Sequence, residues 1–329
     1  MADAIAKNWN LESRKHKPLY YSSERTLEGI KVKGTPKVSF VIPTLDRERT
    51  LDDCLKSIAD QDYPDIEIVI VDGGSKDSTL KIAAKYTSKI ILNDGPLGEA
   101  RQVGVEDSNG DILAIFDSDI IIPSKSWLAK AVQKFFESKR VGVVWPVNKA
   151  PENASVTSRC YFAFWRARAS VFNKSLNSRL IPGGNSLILR EAFEKVGGFD
   201  KHLRFGEDLE LGSRIVKMGY KVAFFDEPLI HDTMWSLKEY TRKQMWGASA
   251  LAETKETYIT NLCISWCNAS SEGDRGFVIN ALKLAITGFR GMIYGLSRDK
   301  ELSWLMFPLL LSIRAFVYGG YFLARTLKG

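Results

Sequence analysis

Asp117 and Asp119 stand one residue apart at the end of an apolar run, Ile112-Leu-Ala-Ile-Phe116. The run reads as a buried strand. Side chains alternate along a strand, so both carboxylates share a face if the extended geometry continues. Two like charges so placed repel, and burying an unpaired carboxylate is costly. A divalent cation between or beside them removes both difficulties and can also bind the oxygens of a diphosphate. Asp-x-Asp alone is equally compatible with turn or helix-capping aspartates, so its meaning depends on context.

A second acidic pair, Glu207-Asp208, opens an amphipathic stretch that runs to Met218. Acids in a first helical turn are favoured by the helix dipole whatever else they do. A carboxylate there could also act as a general base, with its neighbour raising its pKa by like-charge repulsion. His231, one of three histidines, follows Pro228-Leu-Ile and offers a neutral nitrogen ligand; an ordinary loop histidine is the alternative.

Elements able to position these groups alternate along the chain. Lys37 to Pro43, Ile66 to Val71, Ser88 to Leu92, Ile112 to Phe116 and Val141 to Trp145 are short apolar runs, predicted as strands. Between them, 47–60, 77–85, 97–106 and 126–138 carry helical patterns. Apolar strands alternating with helices argue for an α/β fold with a parallel sheet covered on both faces. Ligands bind such sheets beyond the carboxyl ends of the strands. Those ends carry Pro43-Thr-Leu-Asp46, Asp72-Gly-Gly-Ser75 and Asp117-Ser-Asp119, three polar segments on one rim, the pattern of a nucleotide site. Residues 151–181 look irregular and rich in arginine and aromatics, 182–231 form a further compact stretch, and the chain from Ser236 onward reads as helical.

Composition narrows the function. The chain has 329 residues, 45% hydrophobic and 26% charged, enough for one large core or two modest ones. A net charge of +7 favours an anionic partner. A nucleic-acid-binding protein would need a basic face with stacking aromatics, but the strand-end rim is acidic and would repel phosphates without a metal. A nicotinamide or flavin site would need Gly-x-Gly-x-x-Gly after the first strand, and Pro43-Thr-Leu-Asp46 is not that. Cys263-x-x-x-Cys267 has no second metal-ligand pair nearby, and free thiols in a reducing compartment are expected.

The ordered motifs Val41-Ile-Pro-Thr-Leu-Asp-Arg-Glu48, Val71-Asp-Gly-Gly-Ser75, Gly98-Glu-Ala-Arg101 and Asp117-Ser-Asp119 resemble the nucleotide-sugar half of family-two glycosyltransferases. Gly183-Gly-Asn-Ser186, Val196-Gly-Gly-Phe-Asp200 and Gly206-Glu-Asp-Leu209 are similar to the acceptor half. The resemblance implies a GT-A, Rossmann-like mixed sheet flanked by helices, with membrane-associated helices at the C-terminal end. It implies a nucleotide-sugar half over 37–123, an acceptor half over 124–235, a basic extension over 1–36 and a helical region over 236–329. Pro43, Thr44 and Asp46 would line the base and ribose pocket, and Asp72 would bond the base. Ser75, Arg101, Gly184 and Asn185 would lie near the donor, Arg101 with its charge toward the diphosphate. Asp117 and Asp119, with His231, would hold Mn²⁺ or Mg²⁺. Asp208, aided by Glu207, would act as base in an inverting transfer to a glycan or polyprenyl-phosphate acceptor, and no nucleic-acid partner is expected. Gly73 and Gln102 depart from the family pattern, which bears on base preference. Trp246 sits where relatives have an aromatic-basic acceptor motif, here present in part.

Leu302 to Leu327 is apolar and long enough to span a bilayer, but Arg314 falls in its middle and Pro308 near its start. Gly276 to Ser297 is similar in character. Membrane association on the cytoplasmic face is the expectation, spanning or interfacial, with packed core helices as the alternative. Residues 1–37 show no apolar segment of a signal peptide.

Overall fold

The computed structural model of the chain describes residues 25–27, 30–32, 35–173, 184–233, 235–253, 288–298 and 300–326. Cys263, Cys267 and most of the Gly276–Ser297 segment lie outside the described residues, as does most of the basic extension. Within that extension, β1 (Arg25–Leu27) and β2 (Ile30–Val32) pair as a short antiparallel hairpin.

An eight-stranded sheet forms the centre of the protein, in the order β5-β4-β3-β6-β9-β8-β10-β7. Its strands are β3 (Val38–Thr44), β4 (Ile66–Asp72), β5 (Ile90–Leu92), β6 (Ile112–Ile115), β7 (Ile120–Ile121), β8 (Val141–Lys149), β9 (Ser186–Leu189) and β10 (Lys221–His231). The helices are α1 (Leu51–Ala59), α2 (Thr79–Ala83), α3 (Leu97–Glu106), α4 (Trp127–Gln133), α5 (Val156–Asn173), α6 (Arg190–Lys195), α7 (Glu207–Lys217), α8 (Leu237–Glu253) and α9 (Phe307–Thr326). A further helix covers 288–298.

The expected strands are present, and the sheet is mixed, as the family resemblance implies, and not wholly parallel, as the strand pattern alone suggests. β4, β3 and β6 run parallel in register, Val38 opposite both Ile66 and Ile112. β9 then inserts antiparallel between β6 and β8. Nothing local separates β9, a buried Ser-Leu-Ile-Leu, from a parallel strand; its direction follows from what precedes and follows it. The antiparallel register sets Ser186 opposite Ile115, so Gly184 and Asn185 arrive beside Asp117. β7 pairs antiparallel with the end of β10, His231 opposite Ile120, which delivers His231 to Asp119.

Pro43 sits in a central strand, normally an unfavourable place because it lacks an N–H. It is tolerated because it lies past the last β3–β6 pair, Val41 with Ile115, on the side of the strand that β6 no longer covers. Behind the rim, Phe40, Phe116, Trp127 and Phe225 form a chain of edge-on ring contacts, with centroids 5.2, 6.1 and 5.2 Å apart. The Trp127 indole N–H donates to the Glu227 carbonyl at 2.9 Å, so the buried ring leaves no orphan donor.

One region differs from expectation. Residues 156–173, expected to be irregular, form α5. Its apolar residues do not make one stripe because it touches the sheet on one side and the C-terminal helices on another, so no single hydrophobic period marks it. Cys160 and Ala163 of α5, Tyr240 of α8 and Trp304, Phe307 and Leu310 form a second core. The Tyr240 hydroxyl donates to the Leu310 carbonyl at 3.1 Å within it. The C-terminal segment is thus packed on the protein along one face. Among the described residues, no helix is long and apolar enough to cross a membrane.

Glu67, at the edge of the sheet, shows how loops are tied to it. It accepts from the Ser39 hydroxyl and the Asn109 amide, and pairs with Lys89 at 2.9 Å and Lys37 at 3.7 Å. Burial pushes its carboxyl up, but these partners outweigh it and hold the group at about 2. A depressed folded-state pKa contributes stability above the ordinary carboxylate range and loses it as pH falls toward that lower value. Glu67→Gln should therefore cost about 1–2 kcal/mol at pH 7. Thermal melts should show that deficit shrinking between about pH 4.5 and 2; a pH-independent deficit would exclude this origin.

Candidate active site

The rim begins with two interlocked loops. Asp72 ends β4 with both carboxylate oxygens occupied: Oδ2 accepts from Thr44 Oγ1 at 2.8 Å and Ser75 Oγ at 2.6 Å, and Oδ1 from the amides of Gly74 and Ser75 at 2.9 and 2.7 Å. Burial opposes ionisation here, yet these donors keep its pKa below the usual range. The carboxylate shapes the loop, and a nucleobase N–H would have to replace one of these bonds. Asp46 adopts φ +52°, and its amide donates to Ser75 Oγ while its carboxylate accepts from the Lys76 amide. Pro43, Thr44, Asp46, Asp72 and Ser75 are thus brought together in one corner, where Asp46 is exposed.

The middle of the rim is acidic and organised by one cation. Arg101, on α3, is only 2% exposed. Its guanidinium reaches Asp117 Oδ1 at 2.8 Å and Glu207 Oε1 at 2.7 Å. Arg101 therefore serves as a counter-ion to the protein's own acids, and its Nη2 borders the space beside Gly184, 4.0 Å from where a Cβ there would stand. The family resemblance places it near the donor; the burial of α3 against β3 and β4 turns its guanidinium toward the acids of the rim. Asn185, at φ +63° and buried, completes the frame: its Oδ1 accepts from the Asp117 amide at 2.8 Å and its Nδ2 donates to Asp117 Oδ2 at 3.1 Å.

Gly206, with φ +78°, turns the chain so that Glu207 and Asp208 begin α7. Glu207 is buried at 3% exposure; burial and the neighbouring Asp208 push its carboxyl up to about 7 against the pull of Arg101. Asp208 is partly buried, and burial likewise raises its affinity for a proton, opposed by Arg101 and by the amides of Leu209 and Gly184. Its Oδ1 accepts from the Leu209 amide at 2.8 Å. Gly184 separates the two acid groups: a Cβ there would lie 3.3 Å from Asp208 Oδ2 and 3.8 Å from Asp117 Oδ2. Its missing side chain leaves that space to a ligand.

Asp119 meets the His231 ring, Nε2 to Oδ1, at 3.0 Å. Ligand atoms from Asp117, Asp119 and His231 all lie within 4.8 Å of one another. Two carboxylate oxygens and an imidazole nitrogen, converging and part-buried, form a donor set that fits a divalent ion such as Mn²⁺. Burial pushes Asp119 up, but His231, then Lys243 and Arg47, hold it well below the usual range. The alternative of an ordinary loop histidine does not hold: His231 is the last residue of β10, held in place by strand pairing.

Several neighbours escaped sequence reasoning. The Asn148 amide lies 3.5 Å from His231 Nδ1, and the Phe162 ring covers the imidazole at 5.2 Å. Both come from segments far along the chain, and no local pattern marks them. Lys243 stands 4.5 Å over the Trp235 ring, near Asp119. Trp246, half-exposed, meets the edge of Phe205, next to the turn that carries Asp208.

Comparison with known proteins agrees with this geometry. The family described as Glycosyl transferase family 2 matches residues 39–197, and that described as the N-terminal domain of galactosyltransferase matches residues 165–237. The chain is 29% identical over 199 residues to the glycosyltransferase AglE of Haloferax volcanii, covering 57% of this chain and 64% of that protein. It is 26% identical over 294 residues to a dolichyl N-acetyl-alpha-D-glucosaminyl phosphate 3-beta-D-2,3-diacetamido-2,3-dideoxy-beta-D-glucuronosyltransferase of Methanococcus voltae, covering 78% of this chain and 84% of that one. The match to the probable glycosyltransferase YdaM of Bacillus subtilis, at 27% identity, spans 54% of that protein's length. In fold, the chain matches the mannosyltransferase PcManGT of Pyrobaculum calidifontis, solved in complex with GDP-Man and Mn²⁺, with a TM-score of 0.57 at 18% identity over 99% of this chain and 97% of that one. The sheet with its antiparallel insert is the GT-A architecture. The Glycosyl transferase family 2 match runs from β3 through β9 and takes in the strand-end motifs at Thr44, Asp72 and Asp117 and the turn at Gly184 and Asn185, so the part of the chain that builds most of the rim is that of a family 2 glycosyltransferase.

Proposed function

We propose that the protein is a metal-dependent inverting glycosyltransferase that moves a sugar, most simply a hexose, from a nucleoside-diphosphate donor to an acceptor hydroxyl. The observation that carries this reading is the placement of Asp117 and Asp208 on either side of Gly184, with Asp119 and His231 completing a metal-competent set. A divalent ion bound there would neutralise a diphosphate and stabilise it as a leaving group. The chain's own groups do the rest. The interlocked loops at Asp46 and Ser75 present a nucleotide corner. Asp208 accepts the proton of the acceptor hydroxyl as that oxygen attacks the anomeric carbon from the face opposite the diphosphate, which inverts the centre. Its raised proton affinity makes it a stronger base than a solvated aspartate. Glu207, locked to Arg101, orients α7 and keeps Asp208 in place.

The acceptor is proposed to be a glycan or a lipid-linked sugar; the name of the Methanococcus voltae relative, which specifies a dolichyl-phosphate-linked acceptor, supports the second. The reading is tested by donor binding. GDP- and UDP-sugars should raise the melting temperature of the parent protein only when Mn²⁺ is present. At a hundredfold excess over Kd, binding adds about 2.7 kcal/mol of stability. Asp119→Asn should weaken that metal-dependent binding by roughly tenfold or more, equivalent to about 1.4 kcal/mol. A variant with the parent's full metal-dependent shift would overturn the site.

A further inference from the structure

The C-terminal elements leave one face uncovered. Ser303, Trp304, Phe307 and Leu310 are buried, facing α5 and α8. Arg314 continues that face: it reaches Gln244 of α8 at 3.3 Å and stacks over Tyr318 at 5.0 Å. The other side is exposed at Leu302, Leu305, Leu309, Ser312 and Phe316, a spacing of three and four residues that keeps one face of a helix. Leu302 is 73% exposed and Phe316 80%. The strip is about 20 Å long at 1.5 Å per residue and carries no charge.

The neighbouring helix over 288–298 repeats the design. Its glycines face inward, and side chains there would collide with the adjoining element: a Cβ on Gly291 would come within 2.5 Å of Phe307, and one on Gly295 within 1.9 Å of Trp304. Close packing on that side leaves Phe289, Ile293 and Tyr294 outward, in company with exposed Arg290 and Arg298. The charge balance over 288–326 is basic: Arg290, Arg298, Lys300, Arg314 and Arg325 against Asp299 and Glu301. Glu301 is already turned toward Arg159 and Arg166 of α5, at 4.0 and 3.8 Å.

We propose that this face is a monotopic membrane-docking surface, which lies in the plane of an anionic lipid leaflet with Leu302, Leu305, Leu309 and Phe316 entering the headgroup boundary and Arg290, Arg298 and Lys300 meeting lipid phosphates. Exposed apolar residues beside an excess of cations, Arg290, Arg298 and Lys300 against Asp299 and a Glu301 turned toward Arg159 and Arg166, fit an anionic bilayer. A spanning helix is not required: the same element is anchored to the protein by its other face. The inference goes beyond sugar transfer and stands or falls separately from it.

The test is co-sedimentation of the full chain with vesicles that contain no acceptor. Vesicles of phosphatidylcholine with 30% phosphatidylglycerol should bind the protein; pure phosphatidylcholine should bind it at least fivefold more weakly, and added salt should weaken the anionic case. The double substitution Leu305→Glu and Phe316→Glu, both on exposed side chains, should lower binding to anionic vesicles tenfold or more. Its melting temperature and its Mn²⁺-dependent nucleotide-sugar binding should equal the parent's, which separates this outcome from failure of the donor site. Parent and variant partitioning alike would overturn the proposal. So would a parent that is dimeric without lipid and a variant that is monomeric, which would make a second copy of the chain the occupant.

Discussion

Asp208→Asn should bind the nucleotide-sugar donor as the parent does and transfer its sugar roughly 10²–10⁴-fold more slowly, the range of a lost general base. The substitution keeps volume and leaves an oxygen to accept from the Leu209 amide, so the start of α7 survives. It removes the oxygen pair that can take a proton beside Gly184. Donor affinity should change little, because the carboxylates proposed to hold the metal, those of Asp117 and Asp119, are untouched. Single-turnover transfer with saturating donor, alongside calorimetric donor binding, separates the two effects. Transfer at the parental rate would refute the assignment of Asp208, and a lost donor affinity would move it from the acceptor side of the cleft to the donor side.

The second large effect is on folding. Arg101→Met should destabilise the protein by about 3–5 kcal/mol, because the variant strands buried acids that no longer have a counter-ion. For a domain of this size that corresponds to a fall in melting temperature of roughly 5–10 °C. Arg101 touches Asp117 and Glu207 with separate nitrogens, so Arg101→Lys, a point charge on a flexible stem, should recover only part of the loss. Adding Glu207→Gln to Arg101→Met should recover more, since it removes the stranded charge itself. The pH dependence has a definite sign. Glu207 has a folded-state pKa raised to about 7, so its protonated form favours the fold, and that contribution is lost as pH rises through this value. Without Arg101 the carboxyl rises further. The deficit of Arg101→Met should therefore narrow as pH is lowered from 8 toward 5, measured by thermal melts. A small, pH-independent loss would show that Arg101 is replaceable and that its burial is incidental.

Both predictions depend on features of differing visibility in the chain. The strands β3, β4, β6 and β8 were legible because a short β-branched run ended by polar or glycine-rich residues is a local signal. The polar strand ends were legible for the same reason, and so was the sharing of one rim, since parallel strands place their carboxyl ends together. The helical character of 156–173 was not, because a segment wedged between two neighbours carries no single stripe. Arg101 could be picked out as relevant, but not its pairing with Asp117 and Glu207. A residue name and a spacing cannot distinguish a cation that faces ligand from one that faces the protein's own acids. Asn148 and Phe162 gave no signal at all, since their proximity to His231 is created entirely by the pairing of β8 with β10 and the docking of α5. For the C-terminal segment, hydropathy showed an apolar stretch with an arginine inside it. It could not show that one face packs on Tyr240 while the other stays open.

The amino-acid order alone determined the alternation of strands and helices, the acids at the strand ends and the family that their motifs resemble, all properties of neighbours along the chain. Tertiary structure alone decided the direction of β9, the inward turn of Arg101 and the meeting of Asp117, Asp119, Asp208 and His231. Each of those depends on contacts between residues tens to a hundred positions apart, whose energies no local window contains.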